Sequence, residues 1–487
     1  MFMPTLEQAA KLAPHYNFIP ITYEMPSDMF SPLWALKALK NISTHCFLLE
    51  SVENSKMWGR YTFLGYDPLM EITCNHGEIC IKKGSVQEVV QGNPNAYLKA
   101  FMKQYKSPQM EHLPPFTGGL VGYFSYDYIK YSEPSLNLDA KDEENFNDMD
   151  LMLFHKVIVF DNLLQRLCLI VNIDCENLEE GYKNAISELE KIRNYLLSKP
   201  TLDKCEGTLK SALKPLFNRQ QYCEMVEKAK KHIFEGDTFQ VVLSNRLEAE
   251  FEGSLLNTYR SLRSTNPSPY MFYFGSDKIE MAGSSPETLV KLEQGILHTF
   301  PLAGTRKRGN TLQEDIAQEK ELLSDEKELA EHNMLVDLGR NDLGKISNFG
   351  SVTVENYQSV LRFSHVMHIG STIKGQLKDG LGAVDAIEAV LPAGTLSGAP
   401  KIRACQIIND LENNKRGIYG GAVGYLDFKG NMDTCIAIRL CFQKNGKIYV
   451  RSGAGIVADS VAETEYEECI NKAAAVVVAL KQSQGGF

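Results

Sequence analysis

GAVGYLDFKGNMDTCIAIRLCFQKNGKIYVRSGAGIV (421–457) decides the fold. Two turn sequences interrupt it, FKGNMD (428–433) and KNGK (444–447), and the second is an Asn-Gly turn of the tight hairpin type. They predict antiparallel strands over 418–428, 433–443 and 447–453. A doubly wound parallel sheet needs a long crossover, usually a helix, between neighbouring strands, and short turns leave no room for one. The fold class is therefore α+β, with helices outside two-layered sheets.

The same pattern extends toward the N-terminus. A helix is expected at about 219–235, ending at Gly236-Asp237, followed by strands at 238–252, 269–275, 278–292 and 296–304 and an acidic helical region at 313–343. Earlier still, DLMLFHKVIVF (150–160) and QRLCLIVNI (165–173) predict a hairpin, and residues 181–198 carry a helical apolar stripe stopped at Lys199-Pro200. The polar, aperiodic segment 199–218 reads as a linker between an N-terminal region (1–198) and a C-terminal region (219–487).

Composition narrows the function classes. The chain has 487 residues, 44% hydrophobic and 23% charged, which excludes disordered and disulfide-stapled classes. Its formal net charge of −10 is spread along the chain, which argues against a nucleic-acid footprint. Eleven cysteines without a Cys-x-x-Cys pair point to a reducing compartment rather than a disulfide framework or zinc site. The most apolar run, AAAVVVAL (473–480), is too short to span a membrane, so a cytoplasmic location is expected.

Chemistry concentrates in a few segments. In SVAETEYEECINKA (460–473), Ser460 and Glu463 have capping-box spacing, and Glu465, Glu468 and Lys472 then fall near one helical face. The helical stretch 325–343 carries Glu328 and Glu331 at the same spacing. Either pattern alone is a solvated charged face. If the two faces meet over an anionic substrate, mutual repulsion calls for a cation, and an oxygen-only donor set suits Mg2+. Strand 433–443 is expected to put Cys435, Ala437, Arg439 and Cys441 on one face, leaving Arg439 among small residues, where its fork would pair a structural acid or a substrate carboxylate. PAGTLSGAPK (392–401) has Pro400 suited to the first turn of a helix over 400–413 and small residues that free N–H groups for an anion. Glu287 follows a Pro turn in GSSPE (283–287), a position open to general-acid work or to an ordinary turn role. FPLAGTRKRG (300–309) lacks the spacing of a phosphate loop.

Taken in order, LLES (48–51), GRYTFLG (59–65), GDTFQVVLS (236–244), NPSPYMF (266–272), GSSPE, PLAGTRKRG, AEHNMLVDLGRNDL (330–343), RFSHVMH (362–368), AGTLSGAPK, GGAVGY (420–425) and EYEECINKA (465–473) resemble the chorismate-utilising enzymes over nearly the whole chain. The resemblance implies two orthogonally packed antiparallel β-sheets with helices outside. It implies a Mg2+ site at Glu331 and Glu468 with Glu465 beside them. Tyr419 and Arg439 would hold the enolpyruvyl carboxylate, with Thr395, Gly453, Gly455, Ala303, Thr305 and Lys472 around the substrate. Glu287 would help the ring hydroxyl leave, and His368 matches a site histidine of open duty.

Gln240 stands where water-using relatives carry a base lysine, and Ala303 where many para-aminobenzoate-branch enzymes carry an attacking lysine. The implied reaction is attack of ammonia beside the ring carboxylate, forming anthranilate and pyruvate for tryptophan biosynthesis. Aminodeoxychorismate synthesis and a non-catalytic tryptophan-sensing subunit are the alternatives. No Gly-x-Cys-x-Gly elbow occurs, so the resemblance implies a separate glutamine amidotransferase subunit. It also implies a tryptophan feedback pocket at Glu50, Ser51, Arg60, Pro267, Ser268, Tyr270 and Met271.

Overall fold

A computed structural model describes residues 2–52, 59–202, 206–362 and 366–485. Part of RFSHVMH and part of segment 199–218 thus lie outside the described residues. Among those described, strands form two antiparallel sheets, of fourteen and twelve strands. Helices Pro32–Lys40, Leu178–Leu197, Leu256–Thr265 and Ala462–Gln482 cover the larger sheet. No helix among the described residues is long and apolar enough to cross a membrane.

Side-chain alternation builds two cores from single strands. In Cys46–Glu50, Phe47 enters the inter-sheet core, while Cys46 and Leu48 face the helices. Phe47 meets Phe154 edge-on at 4.7 Å between ring centroids. Strands from either side of segment 199–218 share both sheets, and Gly207–Leu209 and Lys214–Pro215 within it pair with Gln240–Gly253.

The predicted strands are correct in direction but often too long, because the chain changes sheets inside them. The expected strand 150–160 divides at His155 into Met149–Phe154 of the smaller sheet and Lys156–Asp161 of the larger. The expected strand 278–292 divides at Pro286-Glu287, and 433–443 divides between Ile436 and Leu440. The regular alternation expected around Arg439 is therefore overturned: Arg439 occupies a left-handed conformation with φ of 50° at the corner. The acidic region is two helices, Leu312–Ser324 and Glu326–Ile346, divided at Asp325, whose carboxylate caps the second.

Two cap expectations also change. The last helix begins at Ala462 without a side-chain cap, and the Ser460 hydroxyl accepts from Val457 N at 3.1 Å. Pro400 is the N-cap of Lys401–Glu412, one residue outside the helix.

One buried ionic cluster anchors the floor of a large polar cavity. Glu412 closes helix Lys401–Glu412 and receives Arg416 Nε at 3.0 Å, Arg451 Nη2 at 2.9 Å and the backbone N–H of Ser244 at 2.7 Å. Arg416 also donates to the carbonyls of Leu396 and Val242, each at 2.6 Å, and Arg451 donates to Ser244 Oγ at 2.8 Å. All three charged side chains are 1% exposed. Burial opposes the Glu412 charge, but the two guanidinium groups outweigh it and hold the carboxyl below its ordinary range.

Removing the carboxylate would leave two buried guanidinium groups uncompensated. Glu412→Gln is therefore expected to cost roughly 3–5 kcal/mol in urea unfolding; a wild-type midpoint would refute the anchoring role.

Candidate active site

Every residue expected in the catalytic, substrate and metal sets lines one cavity of about 580 Å3. Gln240 enters from the first position of its strand, and Ala303 and Thr305 from Leu302–Lys307, whose register shifts against Val366–Gln376. Glu331 comes from helix Glu326–Ile346, and Glu465, Glu468 and Lys472 from Ala462–Gln482. Thr395 lies in the 3-10 turn Gly394–Leu396, which the Arg416 bond to Leu396 O fastens to the floor.

Glu287 and Arg439 occupy adjacent corners where two neighbouring strands leave one sheet for the other. The backbone N–H of Ser284 donates to Arg439 O at 3.0 Å, and that of Ile436 to Glu287 O at 3.0 Å. Burial pushes the Glu287 carboxyl up to about 7, although a hydrogen bond from Thr395 Oγ1 (3.0 Å) and the charges of Arg439 and Lys472 oppose the rise. It can therefore hold or release a proton near neutrality. Arg439 makes no salt bridge within 4.0 Å among the described residues, so its fork can accept an incoming carboxylate.

His368 Nδ1 lies 2.8 Å from the Gly304 carbonyl and 3.1 Å from Thr305 Oγ1. A carbonyl only accepts, so Nδ1 carries the proton. Burial, aided by Arg439, lowers the imidazole below its ordinary value and favours the neutral ring. Nε2 is then the basic nitrogen.

The acidic end differs in character. Burial raises Glu331, with Glu328 and Glu468 adding repulsion, and burial likewise raises Glu465. Gln240 Nε2 donates to Glu331 Oε1 at 3.4 Å, while Gln240 Oε1 is buried without a partner among the described residues. Glu468 pairs with Lys472 at 2.6 Å, a half-exposed contact of a few tenths of a kcal/mol that a multivalent cation can displace. These carboxylates do not close into a cluster with all ligand atoms within 4.8 Å. Among the described residues His232, Glu235 and Asp237 do, but Arg403 occupies Asp237 at 2.7 Å. Two partly buried carboxylates and an exposed third, repelling one another, fit a hard divalent ion that takes its remaining ligands from water or substrate.

The glycine strand serves these side chains. A Cβ on Gly453 would sit 2.6 Å from the Leu243 carbonyl oxygen of the neighbouring strand and 3.1 Å from Tyr419 Oη, and one on Gly455 2.5 Å from Gln240 Nε2. The space expected for a ligand is thus shared with Tyr419 and Gln240. Sequence reasoning missed Arg451, which lines the floor, and Lys327, which reaches the cavity one helical turn before Glu331; the i, i+4 spacing could have revealed Lys327.

A second cavity, of about 530 Å3, lies between the sheets and is lined by Glu50, Ser51, Arg60, Tyr270 and Met271. Pro267 and Ser268 do not line it; Pro269 does. Glu50 is already engaged, accepting from Tyr259 Oη at 2.6 Å and Arg263 Nε at 2.7 Å.

Comparison with known proteins identifies the family and the fold. The signature of the chorismate binding enzyme family matches residues 44–478. The chain is 45% identical over 494 residues to anthranilate synthase component 1 of Acetivibrio thermocellus, covering 99% of both, and 44% identical to that of Aquifex aeolicus, covering 98% of this chain and 97% of the relative. It superposes on the crystal structure of anthranilate synthase component I from Streptococcus pneumoniae TIGR4 with a TM-score of 0.78 at 38% identity, covering 93% of this chain and 98% of that one. The chain belongs to the chorismate binding enzymes.

Because the folded state retains the Glu287 proton up to about 7, whereas an unperturbed glutamate loses it near 4.5, this group contributes stability that falls as pH rises through that window. Glu287→Gln should flatten this part of the stability-versus-pH curve, and infrared difference titration should lose a carboxyl band near pH 7; an unaltered slope and band would refute the shift.

Proposed function

We propose that this chorismate binding enzyme is the aminase subunit of an anthranilate synthase, converting chorismate and ammonia to anthranilate and pyruvate. The observation that carries the reading is the meeting, in one cavity, of a proton-holding Glu287, an Arg439 without a salt bridge among the described residues and an acidic face of Glu331, Glu465 and Glu468. The full-length relatives carrying the component 1 name favour this branch over aminodeoxychorismate synthesis.

Chorismate carries two carboxylates, a ring hydroxyl and an enolpyruvyl ether. Arg439, with Tyr419, receives the enolpyruvyl carboxylate. Glu331 and Glu468, with Glu465 beside them, would hold Mg2+, which supplies charge neutralisation for the ring carboxylate. Glu287 gives its proton to the ring hydroxyl, which leaves as water while ammonia bonds to the carbon beside the ring carboxylate. The ammonium group so formed sheds its extra proton to solvent, leaving the amine. Gln240 Oε1, a buried acceptor, suits an N–H of the incoming ammonia. Loss of the ring proton, for which neutral His368 offers Nε2 as acceptor, then breaks the bond between ring carbon and ether oxygen and aromatises the ring; the enolpyruvate released takes up a proton at its methylene carbon to become pyruvate. Thr395 keeps Glu287 aimed throughout.

Ammonia must come from elsewhere, and a glutamine amidotransferase as the second component fits the missing nucleophile elbow. The inter-sheet cavity is the proposed tryptophan site. Ser51 Oγ is buried there without a partner among the described residues, an orphan that an amino-acid ligand would satisfy.

Purified chain given chorismate, Mg2+ and ammonium salt at alkaline pH should form fluorescent anthranilate. Glu468→Ala should lose most turnover with its unfolding midpoint unchanged, and excess EDTA should silence the wild type; turnover surviving both would remove the metal. Separately, Ser51→Ala should relieve tryptophan inhibition with little change in uninhibited rate, and an unchanged inhibition curve would exclude that pocket.

A further inference from the structure

Three strands meet at one hydroxyl. Tyr270 Oη lies 2.8 Å from Asp433 Oδ1 and 2.9 Å from Thr288 Oγ1. It thereby joins strand Tyr270–Gly275 of the larger sheet to Thr288–Glu293 and Met432–Ile436 of the smaller. Tyr270 and Asp433 line the inter-sheet cavity, whereas Thr288 directly follows Glu287 in the other.

Ladder pairing cannot hold this point alone. The register between Thr288–Glu293 and Met432–Ile436 shifts between Thr288 and Val290, so the strand that carries Glu287 into the cavity starts on an irregularity. Backbone bonds near Glu287 come from Ile436 N at 3.0 Å and to Ser285 Oγ at 3.3 Å. The Tyr270 hydroxyl adds a side-chain fastening between the two sheets at this point.

We propose that Tyr270, with Asp433 and Thr288, is a positioning unit for Glu287, through which an occupant of the inter-sheet cavity acts on the proton donor. The inference rests on the reading of Glu287 as that donor. A hydroxyl carries one proton. When Asp433 is ionised, Tyr270 donates to it and accepts from Thr288. An ammonium group in the cavity, as any amino acid would bring, competes for the Asp433 carboxylate and frees Tyr270 to donate to Thr288 instead. Reversal of that short chain alters the hold on the residue next to Glu287. The charged groups acting on Asp433 are Lys291 and Glu293 from the neighbouring strand, and Tyr270 bonds it from the other sheet.

The test uses the full chain with Tyr270→Phe, Thr288→Val and the double variant. Two quantities are read: anthranilate formation from chorismate and ammonium across pH, and infrared titration of the Glu287 carboxyl, assigned by its loss in Glu287→Gln. Each single variant should lower kcat on the order of 10- to 100-fold, leave KM for chorismate within about twofold and move the Glu287 titration. The double variant should lose no more than the worse single one, as expected for members of one unit. Folded variants with unchanged titration and rate, or losses that multiply in the double variant, would overturn the proposal. Failure of both single variants to fold would make the contact structural and overturn it too. A moved titration in a chain that forms no anthranilate would retain the positioning and discard the reaction.

Discussion

The active cavity depends on the Glu412 carboxylate, which holds two guanidinium groups in a region closed to water. A buried pair of this kind adds little net stability, because desolvation consumes most of the Coulombic gain. Its effect is geometric. The bonds reach helix Lys401–Glu412, strands Gln240–Gly253 and Lys447–Ile456, and the turn carrying Thr395. Arg416 lies 5.9 Å from the ring centroid of Tyr419, so the cluster also supports that side chain from behind. Three stretches of sequence, 240–253, 394–416 and 447–456, are thus registered by one charge.

Above this floor, function is concentrated where strands change sheets. A residue inside a regular strand points to a core or a covering helix, whereas a residue at a corner escapes the alternation and can face the opening. Arg439 adopts a left-handed backbone there and Glu287 follows a proline. Local strain of this kind persists only where the surroundings over-determine it. The neighbouring backbone bonds through Ser284 and Ile436 do so.

The hairpins, the α+β class and most helices were legible, because turn residues and apolar periodicity are local signals. The corners were not. DLMLFHKVIVF and DTCIAIRLCF are apolar and buried on both flanks of the change of sheet, and the few polar residues at the bends, His155-Lys156 and Arg439, can pass for outward positions of one continuous strand. The Ser460 cap failed for a related reason: its hydroxyl satisfies a donor three residues earlier, an option that spacing alone does not distinguish. Every residue expected around the substrate does line one cavity, but through resemblance to a family. Composition and spacing left the acidic faces as ordinary solvated helix surfaces. Glu412 at a helix end, Arg416 in the polar stretch NNKRGIY and Arg451 at the head of RSGAGIV remained invisible because each is an ordinary place for a solvated charge, and only tertiary packing takes those charges out of water.

The electrostatic division of the cavity follows from the same construction. The charges acting on Glu287 are those of Arg439 and Lys472, whereas Glu331 responds to Glu328, Glu468 and Lys472. Arg439 enters from a sheet corner and the carboxylates from two helices, so rigid elements keep cation and anions from neutralising one another. In the proposed reaction one carboxylate of a small dianion would meet the guanidinium, and the other would need a cation between it and the acidic face, because like charges at that end repel. Glu287, half-buried between the poles, would keep its proton for the hydroxyl that must leave.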